Sequence, residues 1–315
     1  MKTRRPAITT LCWTLLLLVP MQRSLAEPVV HYRTVEVDGL KIFYREAGDP
    51  RAPGLLLLHG FPSSSFMFRD LIPRLADRYH VLAPDYPGFG FSDMPGAAMR
   101  PYTFARIATL VGGFTKAVKL ARYAIYVQDY GAPVGFRLAL DAPERITAII
   151  VQNGNAYAEG LSSDWDELKA YWAAPTPRAR AKFREDFTPD SIREEYLAGI
   201  PAGLAQQMSP DTWTLDAARL ARPGAVDLQL DLYADYGSNV ALYPKVQGFL
   251  RTRHPPLLIV WGRYDTFFTV AGAKAYLRDV PDAQLHLLDA GHFALETHCA
   301  RIAVLIREFL ARHLR

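Results

Sequence analysis

Short apolar runs alternate with amphipathic stretches along most of the chain. Mostly apolar runs, typical of buried strands, lie at 55–58, 80–83, 122–127, 146–151, 257–261 and 285–288. Helical spacing of apolar residues occurs at 66–77, 103–120, 131–141 and 302–314, with Thr103 as a predicted N-cap. Alternating residues on either side of Asp38-Gly39 predict a β-hairpin before these elements. This order of elements predicts an α/β fold with a mostly parallel, doubly wound sheet.

The alternation stops between residues 156 and 240. This segment has helical stretches without a convincing strand, and six prolines interrupt it: Pro175, Pro177, Pro189, Pro201, Pro210 and Pro223. The strand and helix pattern then resumes and continues to the end of the chain. We therefore predict a sheet domain formed by residues 27–155 and 241–315, with residues 156–240 inserted into it as a helical cap.

The first 26 residues have the features of a secretory signal peptide. Lys2, Arg4 and Arg5 precede a mostly apolar run from residue 8 to residue 21, and Ser24-Leu25-Ala26 provides small residues for cleavage after Ala26. The apolar run is shorter than the roughly 20 residues that a membrane-spanning helix needs. We therefore expect an exported protein, periplasmic or secreted, without a stable membrane anchor.

Removing this segment also changes the charge balance and the cysteine content. Four of the 36 basic residues and none of the 32 acidic residues lie in residues 1–26, so the remaining chain carries 32 of each sign. A balanced chain gives no electrostatic reason to expect a nucleic-acid partner. Cys12 leaves with the segment, and Cys299 alone cannot form an intrachain disulfide.

Polar side chains follow several of the predicted strands. Strand 55–58 is followed by His59-Gly60-Phe61-Pro62, and strand 122–127 runs through Gln128 into Asp129-Tyr130-Gly131 and a helix. Asp265 and His292 follow the last two strands. A strand, a sharp turn and a helix form a nucleophile elbow, and the chain order nucleophile, acid, histidine is that of a hydrolase triad. Asp129 on its own also fits an ordinary turn aspartate, but four such motifs together favour an active site.

These motifs resemble those of the α/β-hydrolase superfamily over nearly the whole chain after residue 26. More narrowly, they are similar to the branch with an Asp nucleophile, which contains epoxide hydrolases and haloalkane dehalogenases. The resemblance implies that Asp129 attacks a carbon and forms an alkyl ester, which water activated by His292 then hydrolyses. It also implies that Asp265 orients His292, and that the backbone N–H groups of Phe61 and Tyr130 form the oxyanion hole. No cofactor and no metal are expected.

The leaving group separates the two activities. Epoxide hydrolases resemble one another in using two cap tyrosines as proton donors. Tyr171 begins a matching Y-aromatic-x-x-P string, while Tyr236 matches the second motif only in part, because Gly237 stands where Arg is usual. Tyr233 is the alternative second donor. A halide instead needs N–H donors, commonly a Trp directly after the nucleophile, and this position is Tyr130.

We therefore predict a hydrolase that opens a small apolar epoxide to a diol, with substrate-binding side chains from Trp165, Trp172 and Tyr233. Haloalkane dehalogenation by the same triad is the alternative, with an indole N–H of Trp165 or Trp172 as the halide donor. A non-catalytic binding protein on a hydrolase fold is a third possibility, although such a protein has no need of both Asp265 and His292. The sequence leaves the oligomeric state and the substrate size open.

Overall fold

The computed structural model describes residues 28–314, so the predicted signal peptide at residues 1–26 lies outside the described residues. Eight strands form one sheet in the order β1-β2-β4-β3-β5-β6-β7-β8. The strands are β1 His31–Val37, β2 Leu40–Ala47, β3 Gly54–Leu58, β4 His80–Pro84, β5 Tyr123–Gln128, β6 Ile146–Gln152, β7 Leu257–Gly262 and β8 Gln284–Leu288. β1 and β2 form the predicted antiparallel hairpin, β2 is antiparallel to β4, and all pairings from β4 to β8 are parallel.

Helices cover both faces of this sheet, as predicted for a doubly wound fold. They are α1 Ile72–Leu75, α2 Phe104–Ala117, α3 Gly131–Asp141, α4 Asp166–Ala173, α5 Pro177–Phe183, α6 Pro189–Leu197, α7 Ala202–Ala205, α8 Pro210–Leu220, α9 Ala225–Arg253, α10 Val270–Asp279 and α11 Ala294–His313. In β5, Ile125 and Val127 pack into the core beneath α2 and α3, whereas Ala124 and Tyr126 pack into the core beneath α1 and α11. Successive residues of a strand point to opposite faces, so β5 is buried on both sides.

Two helices differ from their predicted bounds. The helix predicted at 66–77 is split into a 3₁₀ turn at Ser65–Phe68 and the short α1. Pro73 explains the break, because proline is favoured in the first turn of a helix and removes a backbone hydrogen bond at later positions. The last helix begins at Ala294, earlier than the predicted residue 302, and has non-helical dihedral angles at His298. The predicted N-cap residue of α2, Thr103, is confirmed, since its side chain accepts from the N–H of Arg106.

The segment between β6 and β7 is helical and contains α4 to α9. The last of these helices, α9, continues without interruption through the predicted boundary between residues 240 and 241. On α9, Asp231 accepts from the N–H of Tyr102 at 3.0 Å and Asp235 accepts from the N–H of Phe104 at 2.8 Å. Carboxylates at the N-terminus of a helix are stabilised by its dipole. These two bonds therefore attach α9, and with it the inserted helical segment, to the start of α2. None of the helices within residues 28–314 has the length and apolar character to cross a bilayer.

Candidate active site

The turn between β5 and α3 places Asp129 at the carboxyl end of the sheet. Asp129 has a left-handed backbone, with φ of 48°, and left-handed backbone is one form of the strain found at functional turns. The turn is tightly packed, because a Cβ added to Gly131 would lie 2.1 Å from the carbonyl oxygen of Leu58. On the neighbouring loop, a Cβ on Gly60 would lie 2.3 Å from the Cβ of Asp129. Glycines at both positions therefore let the turn approach the His59–Pro62 loop closely.

The Asp129 carboxylate is held by backbone donors. Its Oδ1 accepts from the N–H of Phe61 at 2.8 Å, and the N–H of Tyr130 also favours the ionised form of the carboxyl group. Burial raises the pKa of Asp129 above its ordinary value, while His292 and these two N–H groups oppose the rise. The Phe61 N–H, one of the two predicted oxyanion donors, thus contacts Oδ1, whereas Oδ2 lies on the side of His292.

His292 is aligned by Asp265. The two residues follow β8 and β7, and His292 Nδ1 donates to Asp265 Oδ2 at 2.8 Å. Burial alone lowers the pKa of His292, but the charge and hydrogen bond of Asp265, together with the charge of Asp129, outweigh burial, so that the net pKa is raised. His292 Nε2 faces Asp129 Oδ2 at 3.9 Å, too far for a hydrogen bond. Because Nδ1 carries a proton toward Asp265, the lone pair of neutral His292 lies on Nε2, the nitrogen that faces Asp129, as a general base requires.

Two side-chain amides that were not predicted from the sequence complete this arrangement. Asn153, directly after β6, donates from Nδ2 to Asp265 Oδ2 at 2.7 Å. The other oxygen of Asp265 accepts from the N–H groups of Phe267 and Phe268, so the carboxylate is fixed on both sides. Gln128 Nε2 donates to His292 Nε2 at 2.8 Å. Polar residues at the ends of otherwise apolar strands are the signal that identifies such positions.

His59 has a structural role beside this site. Its Nε2 accepts from the N–H of Tyr86 at 3.1 Å, and its Nδ1 lies 3.0 Å from the carbonyl oxygen of Gly60. Complete burial lowers the pKa of His59 to about 3, so the imidazole is neutral and holds the loop that carries the Phe61 N–H.

A cavity of about 170 Å³ opens above Asp129 and His292. Its wall includes Phe61, Tyr130, Trp165, Tyr233, Tyr236 and Phe267. An apolar cavity of about 150 Å³ binds benzene, so this one has room for a substrate of about one ring. Three further carboxyl groups lie on its cap side, those of Asp164, Asp186 and Glu195, and the described lining contains no Lys or Arg. No group of three or more His, Cys, Asp or Glu in the described part of the chain has the arrangement of a metal site.

Three of the five predicted cap residues line this cavity, namely Trp165, Tyr233 and Tyr236. Tyr171 does not, because its hydroxyl points to the carbonyl oxygen of Leu230 at 3.4 Å. The structure therefore places the Tyr171 hydroxyl away from the triad and does not bring it together with the other predicted site residues. Successive residues of a helix differ by about 100° in direction, and on α4 the cavity receives Leu168 instead.

Trp172, which was predicted to bind substrate, also lies outside the cavity lining. It packs behind Tyr236, with ring centroids 5.7 Å apart and planes at 16°. A Cβ on Gly237 would lie 2.8 Å from this indole ring. The glycine that departs from the usual motif thus makes room for Trp172, which in turn holds the Tyr236 ring in the cavity wall.

Comparisons with known proteins agree with this fold. The family model of the alpha/beta hydrolase fold matches residues 53–298. An uncharacterized hydrolase of Saccharomyces cerevisiae is 44% identical over 282 residues, which cover 87% of this chain and 95% of the relative. Haloalkane dehalogenase 2 of Mycobacterium bovis is 29% identical over 280 residues, covering 85% and 91%. Epoxide hydrolase A of Mycobacterium tuberculosis is 32% identical over 183 residues, covering 56% and 53%. The chain therefore belongs to the α/β-hydrolase family.

Proposed function

We propose that this hydrolase converts small uncharged epoxides to diols through an ester on Asp129. The observation that carries the proposal is the facing pair of Asp129 Oδ2 and His292 Nε2, 3.9 Å apart beneath an aromatic cavity. A carboxylate at the nucleophile position can attack an alkyl carbon and form an ester. An aligned imidazole can then act as the general base that activates water to hydrolyse this ester.

The reaction has two steps. Asp129 Oδ2 attacks an epoxide carbon, the C–O bond breaks, and the released oxygen takes a proton from the cap. Water then loses a proton to His292 Nε2 and attacks Cγ of the ester. Negative charge develops on Oδ1, which the N–H of Phe61 already contacts at 2.8 Å. Donors placed in advance at a developing oxyanion are a large source of rate acceleration.

The cap favours an oxygen leaving group over a halide. The indole N–H of Trp165, the one predicted halide donor that reaches the cavity, donates to the carbonyl oxygen of Phe267 at 2.8 Å. Tyr236 offers a hydroxyl instead. The neighbouring Tyr243 hydroxyl accepts from Asn155 at 3.1 Å. A tyrosine hydroxyl that lines the cavity can donate its O–H to the oxygen that leaves the epoxide carbon.

Haloalkane dehalogenation is the second candidate, because a relative of that name matches 85% of the chain. A panel of small neutral epoxides and of bromoalkanes and chloroalkanes of similar size distinguishes the two activities. We expect diol from the epoxides and little halide release, with both products measured on the same enzyme preparation. Halide release without diol formation would replace the epoxide proposal by dehalogenation, and neither product would refute both.

Replacing the cap tyrosines one at a time tests the orientation of the cap. We expect Tyr236→Phe to slow epoxide opening by about 10-fold to 100-fold, because it loses a hydrogen bond to the leaving oxygen. Tyr171→Phe is the matched control, since its hydroxyl contacts Leu230 outside the cavity, and its rate is expected to stay close to wild type. The rate of epoxide loss in a single turnover measures the effect. A larger loss in Tyr171→Phe than in Tyr236→Phe would contradict the arrangement described here.

A further inference from the structure

Helix α6 carries a carboxyl group into the cavity opposite the triad. Glu195 lines the cavity together with Asp129 and His292. The next residue, Tyr196, stacks on Phe293 with centroids 3.8 Å apart and donates to Asp216 at 2.6 Å. Because Phe293 directly follows His292, these contacts fix α6 above the catalytic histidine. With α6 held in this way, the Glu195 side chain is directed toward the cavity.

No described residue forms a hydrogen bond or an ion pair with the Glu195 carboxyl group. Six titratable groups interact electrostatically with the Glu195 carboxyl group. They are Asp129 and Asp265 of the sheet domain, Asp186 and Asp216 of the cap, and the tyrosines Tyr130 and Tyr233. All of these are acidic groups, and His292 lies across the cavity. Burial, and then the charge of Asp129, raise the pKa of Glu195 well above its ordinary value.

We propose that Glu195 is the acid of the first step and gives its proton to the epoxide oxygen while Tyr236 holds that oxygen by a hydrogen bond. This inference rests on the proposed function and adds a catalytic residue to it. It also assigns the cap carboxyl group a role that the sequence analysis had given to a second tyrosine. Tyr171, the tyrosine predicted for that role, is outside the cavity.

The protons balance over the cycle. Asp129 Oδ2 forms a bond to the epoxide carbon, the C–O electron pair passes to the oxygen, and the Glu195 proton joins that oxygen, leaving Glu195 ionised. In the second step water gives one proton to His292, which passes it to the diol oxygen as the ester bond breaks. The other proton of the water stays on the regenerated carboxyl of Asp129 and returns to Glu195. The net change is epoxide plus water to diol.

Proton transfer from a carboxylic acid suits this step better than transfer from tyrosine alone. Burial raises the pKa of Tyr236 well above its ordinary value near 10, so its hydroxyl is a weak acid at neutral pH. The most effective general acid has a pKa close to the working pH, and enzymes reach this with buried carboxyl groups. Tyr236 therefore serves as a hydrogen-bond donor, and Glu195 supplies the proton.

The test compares Glu195→Gln with Glu194→Gln, the same substitution one residue earlier on the exposed side of α6. Single-turnover rate constants for loss of a small neutral epoxide are measured from about pH 5 to pH 9, a range that spans ordinary and raised carboxyl pKa values. These rate constants do not depend on the fraction of folded enzyme. We expect epoxide opening to slow by about 100-fold in Glu195→Gln and to lose its decline at high pH. Glu194→Gln is expected to match wild type in rate and pH profile.

Glu195→Asp separates acid chemistry from packing. It keeps a carboxyl group one methylene farther from the substrate, so we expect an intermediate rate that still declines at high pH. The role of Glu195 would be wrong if Glu195→Gln opened the epoxide at a rate within twofold of wild type and with the same pH profile. That result would not affect the proposed ester on Asp129. A wild-type enzyme that forms no diol would instead refute the proposed function, and this inference with it.

Discussion

Replacing Asp129 with asparagine is expected to abolish epoxide hydrolysis, lowering kcat by about 10⁴-fold or more. The amide has nearly the same shape as the carboxylate, and its oxygen still accepts from the N–H of Phe61, which bonds Asp129 at 2.8 Å. What it lacks is the negative charge that attacks the epoxide carbon. Diol release, followed by chromatography, measures the loss, and thermal unfolding of the variant shows whether the fold is retained.

The mass of the variant protein is the control for this prediction, because slow hydrolysis of the amide would restore aspartate. The role of Asp129 as nucleophile would be wrong if a sample whose mass still corresponds to asparagine formed diol at the wild-type rate.

Replacing His292 with glutamine is expected to leave the first step and to stop the second. Asp129 Oδ2 lies 3.9 Å from His292 Nε2, so the carboxylate attacks without help from the imidazole. Glutamine cannot accept the proton of the attacking water, and ester hydrolysis should slow by about 10³-fold or more. The measurement is the amount of epoxide consumed, which should reach one equivalent per enzyme without release of diol.

His286→Gln is the matched control for that variant, because His286 lies on β8 outside the cavity. It is expected to turn over normally. Continuous diol production by His292→Gln at a rate near that of wild type would remove His292 from the mechanism.

The sheet and the triad are predictable because they depend on chain order and strand ends. Asp129, Asp265 and His292 follow β5, β7 and β8, which run parallel in one sheet. Parallel strands bring their carboxyl ends to one edge, so residues far apart in sequence meet there. The hydrogen bond of 2.8 Å between His292 and Asp265 is the result.

The cap is less predictable because its helices have no such common edge. A motif centred on Tyr171 fits the sequence, but only tertiary packing decides that α4 turns Leu168 rather than Tyr171 into the cavity. Glu195 was missed for a related reason. It follows the exposed Arg193 and Glu194, and such a run of charges is typical of a solvated helix face. The stacking of Tyr196 on Phe293 instead turns Glu195, the residue after Glu194, toward the cavity.

The central claim is that the substrate becomes covalently attached to Asp129, and peptide mapping tests it most directly. His292→Gln is mixed with a small neutral epoxide, quenched in acid and digested, and the peptides are weighed and fragmented. The mechanism predicts one added substrate mass on the peptide that contains Asp129, with fragments that place it on this residue. An unmodified Asp129 peptide, in a sample that has consumed one equivalent of epoxide, would contradict the ester mechanism.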